Sequence, residues 1–226
     1  GWFCLFPGEM KQLGSHVAAS SGFIQNLILW KESGYFDNLA DTKPLLHIWS
    51  LGIEEQFYFV YPLFLLSVAA LSKVFGRSYK KSIYLLALSL VFILSFLLNL
   101  DLIKIDPTKA FYLPQYRLFE LTLGGILSWV VLYQADIPIS FAGSQRHFLP
   151  RWLTRNLARN FLSFLGLIAL LFTFGQFSRE TVFPGKNALL PIFATALIIF
   201  AGPKSWLNEK ILSHKILVKI GLISFP

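Results

Sequence analysis

HIWSLGIEEQF, residues 47–57, places a histidine, a serine and two adjacent glutamates at the head of the apolar run YFVYPLFLLSVAALS. On a helix His47, Ser50 and Glu54 stand at i, i+3 and i+7, which is one face. The rise from His47 to Glu54 is about 10 Å, so the two cannot touch while both are helical. Either each meets a partner from another helix, or the segment re-enters with a bend near Gly52. A carboxyl removed from water beside a second carboxylate titrates closer to neutral pH, the property a general acid or base requires. Glu54 and Glu55 meet that description if the segment is enclosed. If it lies at the headgroup level, the pair is only a solvated helix start.

Three other groupings bear chemistry. In FYLPQYRLFELTLGG (111–125), Arg117 and Glu120 are i, i+3 neighbours just after Pro114, a residue suited to a helix start. Pairing is the least costly way to hold two charges near a membrane. Arg117 is therefore free either to bind an anionic group, to orient a carboxylate of the 54–55 pair, or only to fix its own helix. FPG at 183–185 fits a type II turn with Gly185 at the position needing positive φ. QRHFLPRWLTRNLARN (145–160) spaces Arg151, Arg155 and Arg159 as one helical stripe opposite Trp152 and leucines. That pattern suits an interfacial helix on an anionic leaflet, or a phosphate-binding surface for a cytoplasmic donor. Lys73–Lys81 admits the same two readings.

The elements that must carry these residues are membrane helices. The chain has 226 residues, 55% hydrophobic and 14% charged, against about 25% charged in soluble domains. Stretches 12–30, 82–100 and 160–178 each run nineteen positions without Asp, Glu, Lys or Arg. About twenty apolar residues cross a hydrocarbon core. The pattern predicts spans at about 13–30, 50–72, 82–100, 114–134, 160–177 and 187–202, with partial ones at 1–6 and from 216 onward. Pro62 predicts a kink in the second, and Gly124 with Gly125 predict close helix contact. The fold class is all-α, a polytopic transmembrane bundle forming one domain over 1–226.

Net charge is +8, but the basic residues sit in short loops, which argues for membrane topology rather than nucleic acid. Loops 7–12, 73–81, 135–159 and 203–219 hold thirteen Lys and Arg, the alternate loops six. The richer set is expected in the cytoplasm, which puts the 47–55 stretch, Arg117–Glu120 and FPG together on the outer face. One cysteine, Cys4, excludes an internal disulfide, and four scattered histidines offer no metal-ligand spacing. GWFCLF and GLISFP open and close the chain inside apolar runs, so a piece of a longer protein is expected.

KPLLHIWSLGIEEQFYFVYPL (43–63) resembles the signature of the integral-membrane acyltransferase family 3, bacterial O-acetyltransferases acting on O-antigen, exopolysaccharide and peptidoglycan. FPGEMKQLG (6–14), GYFDNLADTKPLLH (34–47), FYLPQYRLFELTLGGIL (111–127), FPGKNALLP (183–191) and IGLISFP (220–226) are similar to the same family. The resemblance implies an acyl donor, acetyl-CoA or another acyl-CoA, used from the cytoplasm, and a glycan or lipid-linked saccharide acceptor. It implies a place in the bacterial inner membrane among membrane lipids; that no metal takes part is expected from the cysteine and histidine pattern above. It also implies catalytic roles for His47, Glu54 and Glu55. Acceptor binding falls to Trp49, Ser50, Gln56, Tyr58, Arg117 and Glu120; donor binding by Arg151, Arg155 and Arg159 is the second reading of their own basic stripe. The wording of 34–47 is similar to members bearing a C-terminal SGNH-type domain in the parent protein. The family's first helix, with its basic residue and histidine, is absent, as are an arginine pair and a YLWHWP-like segment. The 226 residues alone are therefore expected to be inactive. A rival from another class is a transporter or flippase of a lipid-linked saccharide using the same Glu and Arg, though no inverted repeat supports it.

Overall fold

A computed structural model of the chain describes residues 6–33, 43, 45–76, 79–133, 156–178 and 181–223. Those residues are 86% helical and contain no strand. Among the described residues the α-helices are, in order, α1 Pro7–Ser21, α2 Gln25–Ser33, α3 Trp49–Phe75, α4 Lys80–Leu102, α5 Pro107–Tyr112, α6 Leu118–Tyr133, α7 Asn156–Gln176, α8 Leu189–Ala201 and α9 Lys215–Ile223. Three helical stretches, Leu46–Phe75, Lys80–Leu102 and Leu157–Gln176, are long and apolar enough to cross a membrane, and Leu118–Tyr133 and Gly185–Ala201 are shorter apolar helices. Large apolar side chains such as Phe59, Leu63, Leu66, Leu86 and Phe174 are exposed. Helices that leave so many large apolar side chains exposed suit lipid rather than water. The chain is an all-α membrane protein.

The structure revises several expected elements. The span predicted over 13–30 is two helices. Ile24 N–H reaches Ala19 O at 2.9 Å and Phe23 N–H reaches Ser20 O at 3.1 Å, the paired bonds of a Schellman helix end. The left-handed residue in that ending is Phe23, at φ 56°, where glycine is usual and a side chain costs about 1–2 kcal/mol. Uncharged composition alone gave no hint of this break. The helix predicted from 114 begins instead with a 3-10 turn, Pro114–Tyr116, and α6 proper starts at Leu118. α3 continues as one helix through both Gly52 and Pro62, so the helix is not interrupted at Gly52. The C-terminal partial span appears as α9, nine residues long and exposed. The segment 1–5 lies outside the described residues.

The chain divides into two compact units, Gly1–Thr122 with Val182–Gly185, and Leu123–Thr181 with Lys186–Pro226. In the second unit α7 packs on α8 through Gly166. A Cβ at Gly166 would lie 2.6 Å from Ala194 O and 2.7 Å from Ile198 Cγ1, so only glycine permits this approach. Gly124, expected to serve such a contact, would meet nothing within 4 Å. Asn208 donates to Ile198 O and Gly202 O, both at 2.9 Å, and Asn160 Oδ1 accepts from Trp206 N–H at 2.7 Å. These bonds tie a π-helical turn at Leu207–Leu212 to the ends of α7 and α8.

Candidate functional site

The first unit brings three of the sequence motifs together. The Arg117 guanidinium binds Glu120 in fork-to-fork geometry, Nε to Oε1 at 2.9 Å and Nη2 to Oε2 at 2.7 Å. Around it stand the rings of Trp49, Phe111 and Phe183, with centroids 5.0, 5.3 and 5.6 Å from Cζ. Trp49 itself packs on Phe111 at 4.4 Å and edge-on to Tyr112 at 5.7 Å. A planar delocalised cation suits ring faces on one side and a carboxylate in its plane. Nε and Nη2 of Arg117 are thus engaged, and its carboxylate partner is Glu120, not Glu54 or Glu55.

Three buried polar side chains that no motif singles out, Asn26, Ser95 and Asn99, build the walls of this cage together with the half-buried motif residue Gln56. Asn99 of α4, fully buried, donates to Tyr116 O at 2.9 Å and accepts from Gly185 N–H at 3.0 Å. One amide therefore holds both the turn before Arg117 and the turn after Phe183. Ser95, one helical turn earlier, donates to Gln115 O at 2.8 Å and accepts from Phe119 N–H at 3.1 Å. Asn26 of α2 donates to Tyr112 O at 3.0 Å, while Gln56 donates to Asn26 Oδ1 at 3.0 Å and to Phe23 O at 2.6 Å. Gly52 lies against the same corner, since a Cβ there would be 3.1 Å from Asn26 Oδ1 and 3.2 Å from Phe23 O. These contacts explain how Phe23 is kept in its left-handed conformation. The sequence did carry a signal: Ser95 and Asn99 are polar residues at i, i+4 inside the uncharged run 82–100, and such residues in apolar helices face partners.

FPG differs from the expected type II turn. The Phe183–Pro184 peptide is cis, and Gly185 has φ 47°, with Gly185–Ala188 continuing as a 3-10 turn. Gly185 does supply the positive φ read from the sequence.

His47 lies in a 3-10 turn, Leu46–Ile48, leading into α3. It is exposed, while Ser50, Glu54 and Glu55 are half-buried. Among the described residues none of these four has an ionic or side-chain hydrogen-bond partner. Tyr58 is exposed and its ring stands 6.2 Å from that of Phe57. On one helix, then, Trp49, Gly52 and Gln56 are locked into the fold, and the acid–base groups between them are uncommitted. Of the basic stripe, Arg151 and Arg155 lie outside the described residues. Arg159 belongs to the first turns of α7 itself, not to a separate surface helix.

The chain is similar to an uncharacterized protein of Haemophilus influenzae, 31% identical over 84% of this chain and 72% of that protein. It is also similar to the putative peptidoglycan O-acetyltransferase YrhL of Bacillus subtilis, 31% identical over 99% of this chain and 34% of the relative. The peptidoglycan O-acetyltransferase OatA of Listeria monocytogenes is 28% identical over 97% of this chain and 33% of the relative. The chain spans about a third of the length of these two O-acetyltransferase relatives. No family model matches it, and no solved structure does so significantly.

Proposed function

The chain belongs to the integral-membrane acyltransferase family 3, a family of acyltransferase enzymes, and from that premise we propose what its 47–58 segment does. The whole protein moves an acyl group, acetyl in the simplest case, from cytoplasmic acyl-CoA to a hydroxyl of a cell-surface glycan or its lipid-linked precursor. Its helices make six crossings of the bacterial inner membrane, the first over about 13–30, so that Glu32 lies beyond it. The basic loops face the cytoplasm.

The observation that carries this reading is the division of labour along α3. Trp49, Gly52 and Gln56 are fixed by packing and hydrogen bonds, and His47, Glu54 and Glu55 between and beside them are not. A preorganised scaffold bearing unused acid–base groups is what a positioned general base needs. In the proposed step Glu54 or Glu55 takes the proton of the acceptor hydroxyl. The hydroxyl oxygen forms the new bond to the acyl carbon, the thioester C–S bond breaks, and the proton held by the glutamate passes to the departing sulfur, so that coenzyme A leaves as its thiol and the carboxylate is restored. His47 hydrogen-bonds within the same pocket, and Ser50 and Tyr58 contact the sugar. The caged Arg117–Glu120 pair holds α3 through Trp49. Arg159, with Arg151 and Arg155, is assigned to the donor's phosphates.

The test uses the full-length parent protein in membranes with acetyl-labelled coenzyme A and endogenous glycan. Glu54→Gln, Glu55→Gln and His47→Ala are compared with wild type at matched expression. Loss of label transfer in one folded variant supports the reading. Full transfer by all three makes the segment architectural, and vectorial movement of unmodified glycan without labelling would favour the transporter.

A further inference from the structure

A second ionisable cluster lies apart from the Arg117 cage, centred on Glu32 in the last turn of α2. His16 Nε2 lies 3.0 and 3.1 Å from the two Glu32 carboxylate oxygens. Gln12, one turn earlier on α1, donates to Glu32 Oε2 at 3.3 Å. The Lys43 ammonium donates to the same oxygen. His16 is 1% exposed, and the Lys43 side chain 9%. An ammonium so enclosed is held only where an anion faces it, and Glu32 is the partner the structure supplies. Well-packed apolar side chains would join α1 to α2 at least as firmly. What a charged node adds is a defined position for each of its members.

The position of Lys43 matters because of what its main chain does. Its carbonyl accepts from Leu46 N–H at 3.1 Å, which opens the 3-10 turn bearing His47. One residue therefore has its side chain anchored on α2 and its backbone anchored on the first turn of the motif. We infer that Glu32 is a positioning residue for acyl transfer: its carboxylate clasps His16 and Lys43, and through Lys43 it sets where the His47 turn enters α3. This assignment rests on the acyl-transfer reading above, but the clasp can be tested without it.

The experiment uses the full-length protein in membranes, with Glu32→Gln, Glu32→Asp, Lys43→Met and the Glu32→Gln/Lys43→Met double variant. Two readouts are taken. The first is maleimide labelling of a cysteine placed by His47→Cys in a Cys4→Ser background, which needs no activity. The second is transfer kinetics, with kcat and the acyl-CoA KM separated. Release of the His47 turn should raise the labelling rate at 47 about threefold or more in Glu32→Gln and Lys43→Met. Both should lower kcat about tenfold at unchanged KM, since displacement of about 1 Å near a reacting group is enough for such a loss. Glu32→Asp should recover most of it, and the double variant should be no worse than the poorer single one. Lys43→Met leaves the His16–Glu32 contact in place, so it keeps the test readable if Glu32→Gln does not fold. Unchanged labelling in both single variants, or losses that multiply in the double variant, would overturn the clasp. If labelling responds but wild type transfers no acyl group, the clasp stands and the acyl-transfer role falls. If Glu54 or Glu55 is required for transfer while Glu32→Gln leaves it unchanged, the proposed role of Glu32 falls alone.

Discussion

Side-chain amides bond to backbone groups in both compact units, but the units differ in what joins their main helices. In the unit containing the motif, helices are joined by side-chain amides and hydroxyls bonded to backbone groups far away in sequence: Asn26 to Tyr112, Asn99 to Tyr116 and Gly185, Ser95 to Gln115. In the other unit α7 and α8 meet at a glycine that lets one backbone touch the other. Membrane helices gain little from apolar association, so both small-residue contact and interhelical hydrogen bonding are available to them. The difference lies in what each specifies. Close backbone contact fixes a distance. A buried amide with a donor and an acceptor in use fixes two chain segments at once, and the motif-bearing unit has three residues to place around Arg117.

The largest effect should come from the cage. Arg117→Lys keeps the charge but loses the fork to Glu120 and the ring contacts. Acyl transfer by the full-length protein should fall about 100-fold while the protein still inserts and folds. Near-wild-type transfer would mean that the cage is a strut with no bearing on the chemistry. Next comes Asn99→Leu, which strands Gly185 N–H and Tyr116 C=O. Thermal unfolding in detergent should show a loss of about 1–3 kcal/mol. Ser95→Ala should cost less, about 0.6 kcal/mol per bond lost.

In the second unit Gly166→Ala forces a Cβ against the Ala194 carbonyl and should destabilise by about 1–3 kcal/mol. Gly124→Ala, whose Cβ meets nothing, should be neutral or stabilising by up to about 1 kcal/mol. Equal effects from the two glycines, both in the second unit, would show that the α7–α8 approach at Gly166 does not depend on glycine.

The smallest effect is pH-dependent. Burial, the largest single influence, pushes the Glu32 carboxyl up, but hydrogen bonds and charge from Lys43 and His16 together outweigh it and hold the group below the usual glutamate value. A carboxyl with a lowered folded-state pKa contributes stability above its unfolded value and loses it as pH falls through the folded value. The melting-temperature gap between wild type and Glu32→Gln should therefore be complete at pH 7 and persist to about pH 5. It should close only below the ordinary glutamate pKa of about 4.3. Closure between pH 6 and 7 would show that something other than this carboxylate maintains the gap.

Helical class, the apolar character of the helices and the 47–58 motif were determined by the sequence itself, because all three are local. Uncharged runs set helix location, and residue spacing sets which side chains share a face. The i, i+3 pairing of Arg117 with Glu120 was equally legible, since a helical turn brings those positions together regardless of surroundings. Tertiary structure alone decided the rest. The break at Phe23 contradicts residue preference and survives through Gln56 and Gly52, more than twenty-five positions away. Asn26 meets Tyr112, and Asn99 meets Gly185, each across 86 positions. Nothing in a local pattern names such partners. Gly124 and Gly166 look alike as letters in apolar runs, and only the helix opposite Gly166 gives it a reason to be glycine. His16 appeared as one of four scattered histidines until the end of α2 put Glu32 beside it. Local chemistry chose the elements, and long-range packing chose which of their polar groups are bonded.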